Sequence, residues 1–174
     1  RSKRPDVIYC SISGFGQNGP YRDRKGYDPI LQAMGGLMGV TGEKGGGPIK
    51  SMIPVADIAA GLAASNAIFA AIVHREKTGE GQYLDISMMD VMVSLTTILG
   101  TAVLNGGRVP PRSGTENPVR VPSAAFECSD GKYLQLVPNQ RQWKSFCDVV
   151  GAPELADDPR FIDNLARIDN QDAL

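Results

Sequence analysis

Three aspartates, Asp28, Asp57 and Asp90, each stand directly before a stretch that reads as a helix. The ordinary meaning of that position is an N-cap, whose side chain accepts from the first free backbone N–H groups. It also suits a nucleophile. An aspartate with a reference pKa near ~3.9 is charged at neutral pH and needs no neighbouring base to activate it, so covalent catalysis does not require a Ser-His-Asp set here. Position alone does not say which of the three would act. A Gly-rich loop over residues 14–27 carries three glycines before Pro20 and the cations Arg22, Arg24 and Lys25 after it, partly offset by Asp23. Free N–H groups beside cations match the chemistry of phosphate. The only histidine, His74, falls in a cationic last helical turn and reads as a helix-end charge. Cys10, Cys128 and Cys147 are widely spaced, which excludes paired-Cys zinc sites and multi-His metal centres within this chain. They read as buried small hydrophobes in a reducing compartment.

The elements that would position these residues follow an α/β order. Residues 7–13 are β-branched and aromatic, a strand that Gly14 closes. Asp28-Pro29 opens a helix through Met34, and residues 41–47 hold four glycines in seven. A long helix starts at Ile58 and ends in His74-Arg75-Glu76-Lys77 before Gly79. Its apolar run, residues 58–73, is interrupted by Gly61, Ser65 and Asn66 and falls short of the roughly 20 residues needed to span a bilayer, so a buried helix is expected. Residues 82–88 alternate as a second strand, and Asp90 begins a helix to about Leu104. Residues 105–123 hold four prolines, three glycines and three arginines, the composition of a linker. Beyond it, residues 124–128 and 132–137 flank Ser129-Asp130-Gly131 as a hairpin. A helix over about 140–150, on which Trp143, Phe146 and Cys147 pack, and a charged tail complete a smaller α+β unit.

Composition sets the outer bounds. The chain has 174 residues, 42% hydrophobic and 21% charged, enough for a packed core despite 20 glycines and 12 prolines. A formal net charge of -1 gives no global electrostatic case for nucleic acid or an anionic membrane as partner. Charged residues 1–6 run straight into the first strand with no signal-peptide pattern.

Four blocks carry a resemblance. Gly14-Phe15-Gly16-Gln17-Asn18-Gly19-Pro20-Tyr21 is followed by Lys25-Gly26-Tyr27-Asp28 and Gln32-Ala33-Met34-Gly35-Gly36-Leu37-Met38. Val55-Ala56-Asp57-Ile58-Ala59-Ala60-Gly61 and the stretch from Lys77-Thr78-Gly79-Glu80-Gly81-Gln82 through Asp85-Ile86-Ser87-Met88-Met89-Asp90 come next. In order and spacing they resemble the class III CoA-transferases, over roughly residues 5–95, with similarity again in the hairpin region. The resemblance implies Asp57 as the nucleophile, Arg24, Lys25, Gly26 and Tyr27 as a CoA-contacting turn, and Met88 in the acyl pocket. Arg24 and Lys25 read equally as solvated loop charges, and Met88 also reads as core. The implied fold is α/β: residues 1–104 as the central part of a Rossmann-like large domain, 105–123 as a linker, and 124–174 as part of a small α+β domain. The implied reaction moves CoA from an acyl-CoA to a carboxylic acid through an aspartyl anhydride and an aspartyl-CoA thioester, with no metal or cofactor besides the CoA of the substrate. Two alternatives stay open. One is an α-methylacyl-CoA racemase of the same family, although those enzymes place a His where Tyr27 stands; the other is a noncatalytic acyl-CoA-binding module. An interlocked homodimer, a cytoplasmic location, no nucleic-acid or membrane partner, and a natural chain about twice this length are further expectations.

Overall fold

A computed structural model describes residues 4–107 and 109–174. The fold is mixed α/β, and the described residues divide into two compact units, one of residues 4–42, 46–107 and 109–112, the other of residues 43–45 and 113–174.

The first unit is built on two parallel strands, β1 (Tyr9–Ser13) and β2 (Tyr83–Ser87), in register from Tyr9 opposite Tyr83 to Ser13 opposite Ser87. The rings of that first pair stack with centroids 5.6 Å apart, a cross-strand aromatic contact that helps hold the register. Between the strands run α1 (Asp28–Met34), α2 (Leu37–Val40) and α3 (Val55–Thr78), and after β2 come α4 (Met88–Leu95) and α5 (Thr97–Gly106). The long helix ends at Gly79, whose φ of 76° is left-handed and whose N–H returns to the Arg75 carbonyl at 2.7 Å. Gly81 then lies so close to Val7 that a Cβ would overlap the Val7 carbonyl. Its absence lets the chain entering β2 lie against the chain entering β1.

The core of this unit is Leu31, Ala56, Ala60, Met88 and Met92, with Phe15, Leu37, Ile86 and Met89 packed around it. Alanines 56, 60, 64 and 71 make the buried stripe of α3, and their small size lets neighbouring elements approach closely. The expectation of a buried helix is corrected on its other side, where Ile58, Leu62, Phe69 and Val73 are each more than half exposed. The helix itself is 24 residues, longer than its apolar run, and by length and composition alone it could cross a membrane.

The helix expected from Asp90 to Leu104 is two helices, with a 70° bend between α4 and α5. Thr96 sits at the break, its hydroxyl within hydrogen-bond distance of the Gly35, Met92 and Val93 carbonyls, and Thr97 Oγ1 donates to the Ser94 carbonyl at 2.6 Å. Hydroxyls that compete for backbone carbonyls favour bends over straight helix. The first of the two begins at Met88, because Ser87 is its N-cap and accepts from the Asp90 N–H at 3.2 Å.

In the second unit, β3 (Ala124–Glu127) and β4 (Tyr133–Leu136) form an antiparallel hairpin. Gly131 turns it with a φ of 76°, and Asp130 Oδ1 accepts from the Lys132 N–H at 3.1 Å. Asn139 and Gln142 then form a capping box at a short 3-10 turn that leads into α6 (Trp143–Val149), and Asp163 caps α7 (Asn164–Asp169). Trp143, Cys147, Ala156 and Phe161 are the buried core here. Burial pushes the Cys147 thiol up from its ordinary pKa. Cys128, by contrast, is exposed at the hairpin rather than buried, since β3 ends one residue before it. The charged tail also hides a core residue: Arg167 is 1% exposed.

Candidate functional site

Asp57 is the third residue of α3, not its cap. Pro54 holds the N-cap position without a side-chain hydrogen bond, and its carbonyl accepts the first helical bond, from the Ile58 N–H at 3.0 Å. The Asp57 side chain is exposed, and among the described residues its carboxylate makes no hydrogen bond or ion pair. An exposed anion in the first turn sits where the helix dipole favours negative charge.

What caps α3 comes from another helix. Asp28, expected as the N-cap of α1, is instead its first residue, with Tyr27 in the cap position. Its side chain turns away from its own helix: Oδ1 accepts from the Ala56 N–H at 2.8 Å, and Oδ2 accepts from Gln32 Nε2 at 2.6 Å. Gln32 Oε1 in turn accepts from the Ser51 N–H at 2.8 Å. Asp28 is 8% exposed and Gln32 fully buried. In the sequence Gln32 is marked only by its spacing: an Asp and a Gln four residues apart share one face of a helix, and that is the signal for the pair.

The turn before Asp28 holds the four residues implied to contact CoA. Arg24 lies with its guanidinium 3.9 Å from the centre of the Tyr21 ring, a cation–π contact, and Tyr21 meets Phe15 edge-on at 5.5 Å. Lys25 is exposed, and Tyr27 is 65% exposed. Gly26 abuts Gly14: a Cβ on Gly26 would lie 2.8 Å from the Gly14 Cα, and one on Gly14 would lie 2.7 Å from the Gly26 Cα. The Gly-rich loop is itself anchored to β2 and α4, because the Gln17 N–H donates to Asp85 Oδ2 at 2.8 Å and the Met89 N–H donates to the Gly14 carbonyl at 3.0 Å. Gly26→Ala must push these two segments apart; if the turn contacts CoA as the resemblance implies, the KM for acyl-CoA in the natural protein should rise by about tenfold, read by steady-state kinetics. An unchanged KM would detach this turn from CoA binding.

The structure therefore joins the turn and the start of α3 through one bond, Asp28 to Ala56, with Tyr27 and Asp57 each one residue away from it. Met88 lies deeper, 9% exposed within the core cluster. Asp90 is the third residue of α4, and His74 lies within α3, near its C-terminal end. Among the described residues no group of three or more His, Cys, Asp or Glu is placed to hold a metal ion. The second unit has its own apolar cleft of about 440 Å³, lined among others by Val121, Phe126, Leu136, Phe146 and Leu155.

Comparison with known proteins bears on this arrangement. The model of CoA-transferase family III matches residues 1–174. A succinate–glutarate CoA-transferase of Agrobacterium fabrum is 40% identical over 168 residues, covering 97% of this chain and 42% of that protein. An acetyl-CoA:oxalate CoA-transferase of Acetobacter aceti is 38% identical over 171 residues, covering 98% of this chain and 44% of that protein. Among solved structures, a CAIB/BAIF family protein from Brucella suis superposes with a TM-score of 0.80 at 39% identity, covering 97% of this chain and 45% of that one. The chain thus spans less than half the length of these relatives.

Proposed function

We propose that this chain, which belongs to CoA-transferase family III, supplies the nucleophile and part of the CoA-binding surface of an enzyme that moves CoA from an acyl-CoA donor to a carboxylic acid acceptor. The observation that carries the reading is the exposed carboxylate of Asp57, unpartnered among the described residues, in the first turn of a helix whose start is tied to the candidate CoA-binding turn. CoA-transferases in Agrobacterium fabrum and Acetobacter aceti, both close to 40% identical to this chain, support the reaction class.

A carboxylate oxygen of Asp57 attacks the thioester carbonyl, the C–S bond breaks, and CoA thiolate leaves a mixed anhydride on Asp57. The thiolate then attacks the aspartyl carbonyl and expels the donor carboxylate, which leaves an aspartyl-CoA thioester. An acceptor carboxylate attacks that thioester and regenerates thiolate and an anhydride, and attack of thiolate on the acceptor carbonyl releases the new acyl-CoA and free Asp57. The thioester's energy is kept in each intermediate, so the cycle uses no ATP, metal or added cofactor. Backbone N–H groups would stabilise each tetrahedral oxyanion. Arg24, Lys25, Gly26 and Tyr27 contact CoA in this reading, and Met88, being buried, shapes the wall of the acyl pocket from behind.

The same reading makes residues 1–104 the centre of a Rossmann-like large domain, 105–123 the linker and 124–174 part of a small α+β domain. Support comes from the parallel pair β1–β2 and from the division between units at Arg112 and Ser113. It further places the protein in the cytoplasm as an interlocked homodimer, with the exposed apolar side of α3 among the surfaces that assembly would cover.

Acceptor dependence tests the reaction class. The natural protein should turn over only when a free carboxylic acid is present, and in heavy water it should leave the α-proton of a branched acyl-CoA unexchanged. Deuterium wash-in without an acceptor would favour the racemase. Binding of acyl-CoA with no turnover across a panel of dicarboxylates would favour a noncatalytic module.

A further inference from the structure

The Asp57 carboxylate is exposed, yet the backbone beside it is gripped by two buried side chains. The loop 51–54 leads into α3, and nothing on Pro54 caps that helix by a side-chain bond. Asp28 and Gln32 take over the task from α1. Gln32 Oε1 accepts from the Ser51 N–H at one end of the segment, and Asp28 Oδ1 accepts from the Ala56 N–H at the other, one residue before Asp57. The two side chains are locked to each other at 2.6 Å. Gln32 Nε2 also lies 3.4 and 3.5 Å from the Ser51 and Ile53 carbonyls. With 8% and 0% exposure, neither side chain is placed to meet a substrate.

We propose that Asp28 and Gln32 are positioning residues for Asp57: they act as one unit that sets the direction of the first turn of α3 and so the attack geometry of the carboxylate it carries. The inference rests on Asp57 as the nucleophile. A displacement of about 1 Å at a reacting group can cost on the order of 100-fold in rate, whereas CoA binding through exposed residues of the neighbouring turn is less sensitive to it. The polarity of the unit is fixed. Gln32 must present its oxygen to the Ser51 N–H, so it offers its NH₂ to Asp28, which must be an acceptor on both oxygens.

That polarity supplies the test, made in the natural protein. Asp28→Asn puts an amide NH₂ against the Gln32 NH₂, and kcat should fall about 100-fold while the KM for acyl-CoA stays within about threefold. Adding Gln32→Glu moves the carboxylate across the pair and restores all three short hydrogen bonds, while turning the two long donor contacts of Gln32 Nε2 into weaker oxygen–oxygen contacts with the Ser51 and Ile53 carbonyls. The double variant should recover kcat to within about fivefold of the unvaried protein. Two results overturn the proposal: an Asp28→Asn variant that melts earlier but keeps its kcat per folded molecule, and a double variant that stays as slow as the single one or fails to fold. If Asp28→Asn does not fold alone, the double variant decides by the same criterion. Asp57→Ala, measured alongside, separates the two readings: activity surviving that change removes the nucleophile and this proposal with it, whereas activity lost there but kept in Asp28→Asn removes the positioning role alone.

Discussion

Asp57→Ala should abolish CoA transfer in the natural protein, a fall in kcat of about 10⁴-fold or more, while acyl-CoA affinity and thermal stability change little. Both halves of that expectation come from geometry. The nucleophile is the one group the proposed cycle cannot replace. Its carboxylate is also exposed, so truncation empties no core and leaves no buried donor unpaired. The Ala56 N–H, which a side chain at the cap would have satisfied, donates to Asp28 and is not served by Asp57. The structural cost is confined to a helix-dipole contribution of about 0.3–1 kcal/mol. Kinetics and a melting curve on the same sample check it; a large loss of stability would make Asp57 a structural residue, and retained turnover would sink its catalytic role.

Arg167→Ala should produce the largest loss of stability, about 3 kcal/mol or more, in the second unit. The guanidinium is 1% exposed, and it donates to three acceptors: the Val121 carbonyl at 2.7 Å, the Phe161 carbonyl at 2.8 Å and Gln140 Oε1 at 2.9 Å. It also lies 4.5 Å from the centre of the Trp143 ring. Truncation leaves three acceptors without a donor and a void beside the tryptophan. Arg167→Lys should rescue little, because an ammonium cannot reproduce a planar fork that serves three directions and stacks on a ring. Urea unfolding followed by the fluorescence of Trp143, the chain's single tryptophan, reports on this unit directly. A change below 1 kcal/mol would show that water replaces the lost donors.

Local chemistry made much of this fold legible. The Asp-Gly pair between alternating runs marks the hairpin, and Gly79 after a cationic turn marks the end of α3, because both depend on backbone conformations that few residues adopt. Residues 82–88 read as a strand, and β2 is found at Tyr83–Ser87. What stayed hidden depends on tertiary partners. Three aspartates look alike as caps, yet one carboxylate bonds across to another helix, one makes no bond among the described residues, and the third belongs to a residue whose own backbone N–H is capped by Ser87. The Thr96 hydroxyl at the break reaches the Gly35 carbonyl, 61 residues away, and Arg167 in the charged tail is buried through Val121 and Trp143, partners distant in the sequence. At the site, the aspartate block and the glycine-rich turn stood out by residue type. The bond that joins them did not, since Asp28 reads as one of three equivalent helix-start carboxylates and Gln32 has no reactive chemistry of its own.

If Asp57 attacks the thioester, the covalent bond it forms can be trapped. Natural protein incubated with acyl-CoA, then treated with hydroxylamine and digested, should carry a hydroxamate at Asp57 on the peptide that contains residues 53–75, because an aspartyl anhydride or thioester yields to hydroxylamine while a free carboxylate does not. Fragment-ion mass spectrometry places the modification on a single residue, and protein treated without acyl-CoA should remain unmodified. A protein that transfers CoA while Asp57 stays unmodified, or that carries the hydroxamate at another carboxylate, would contradict the account.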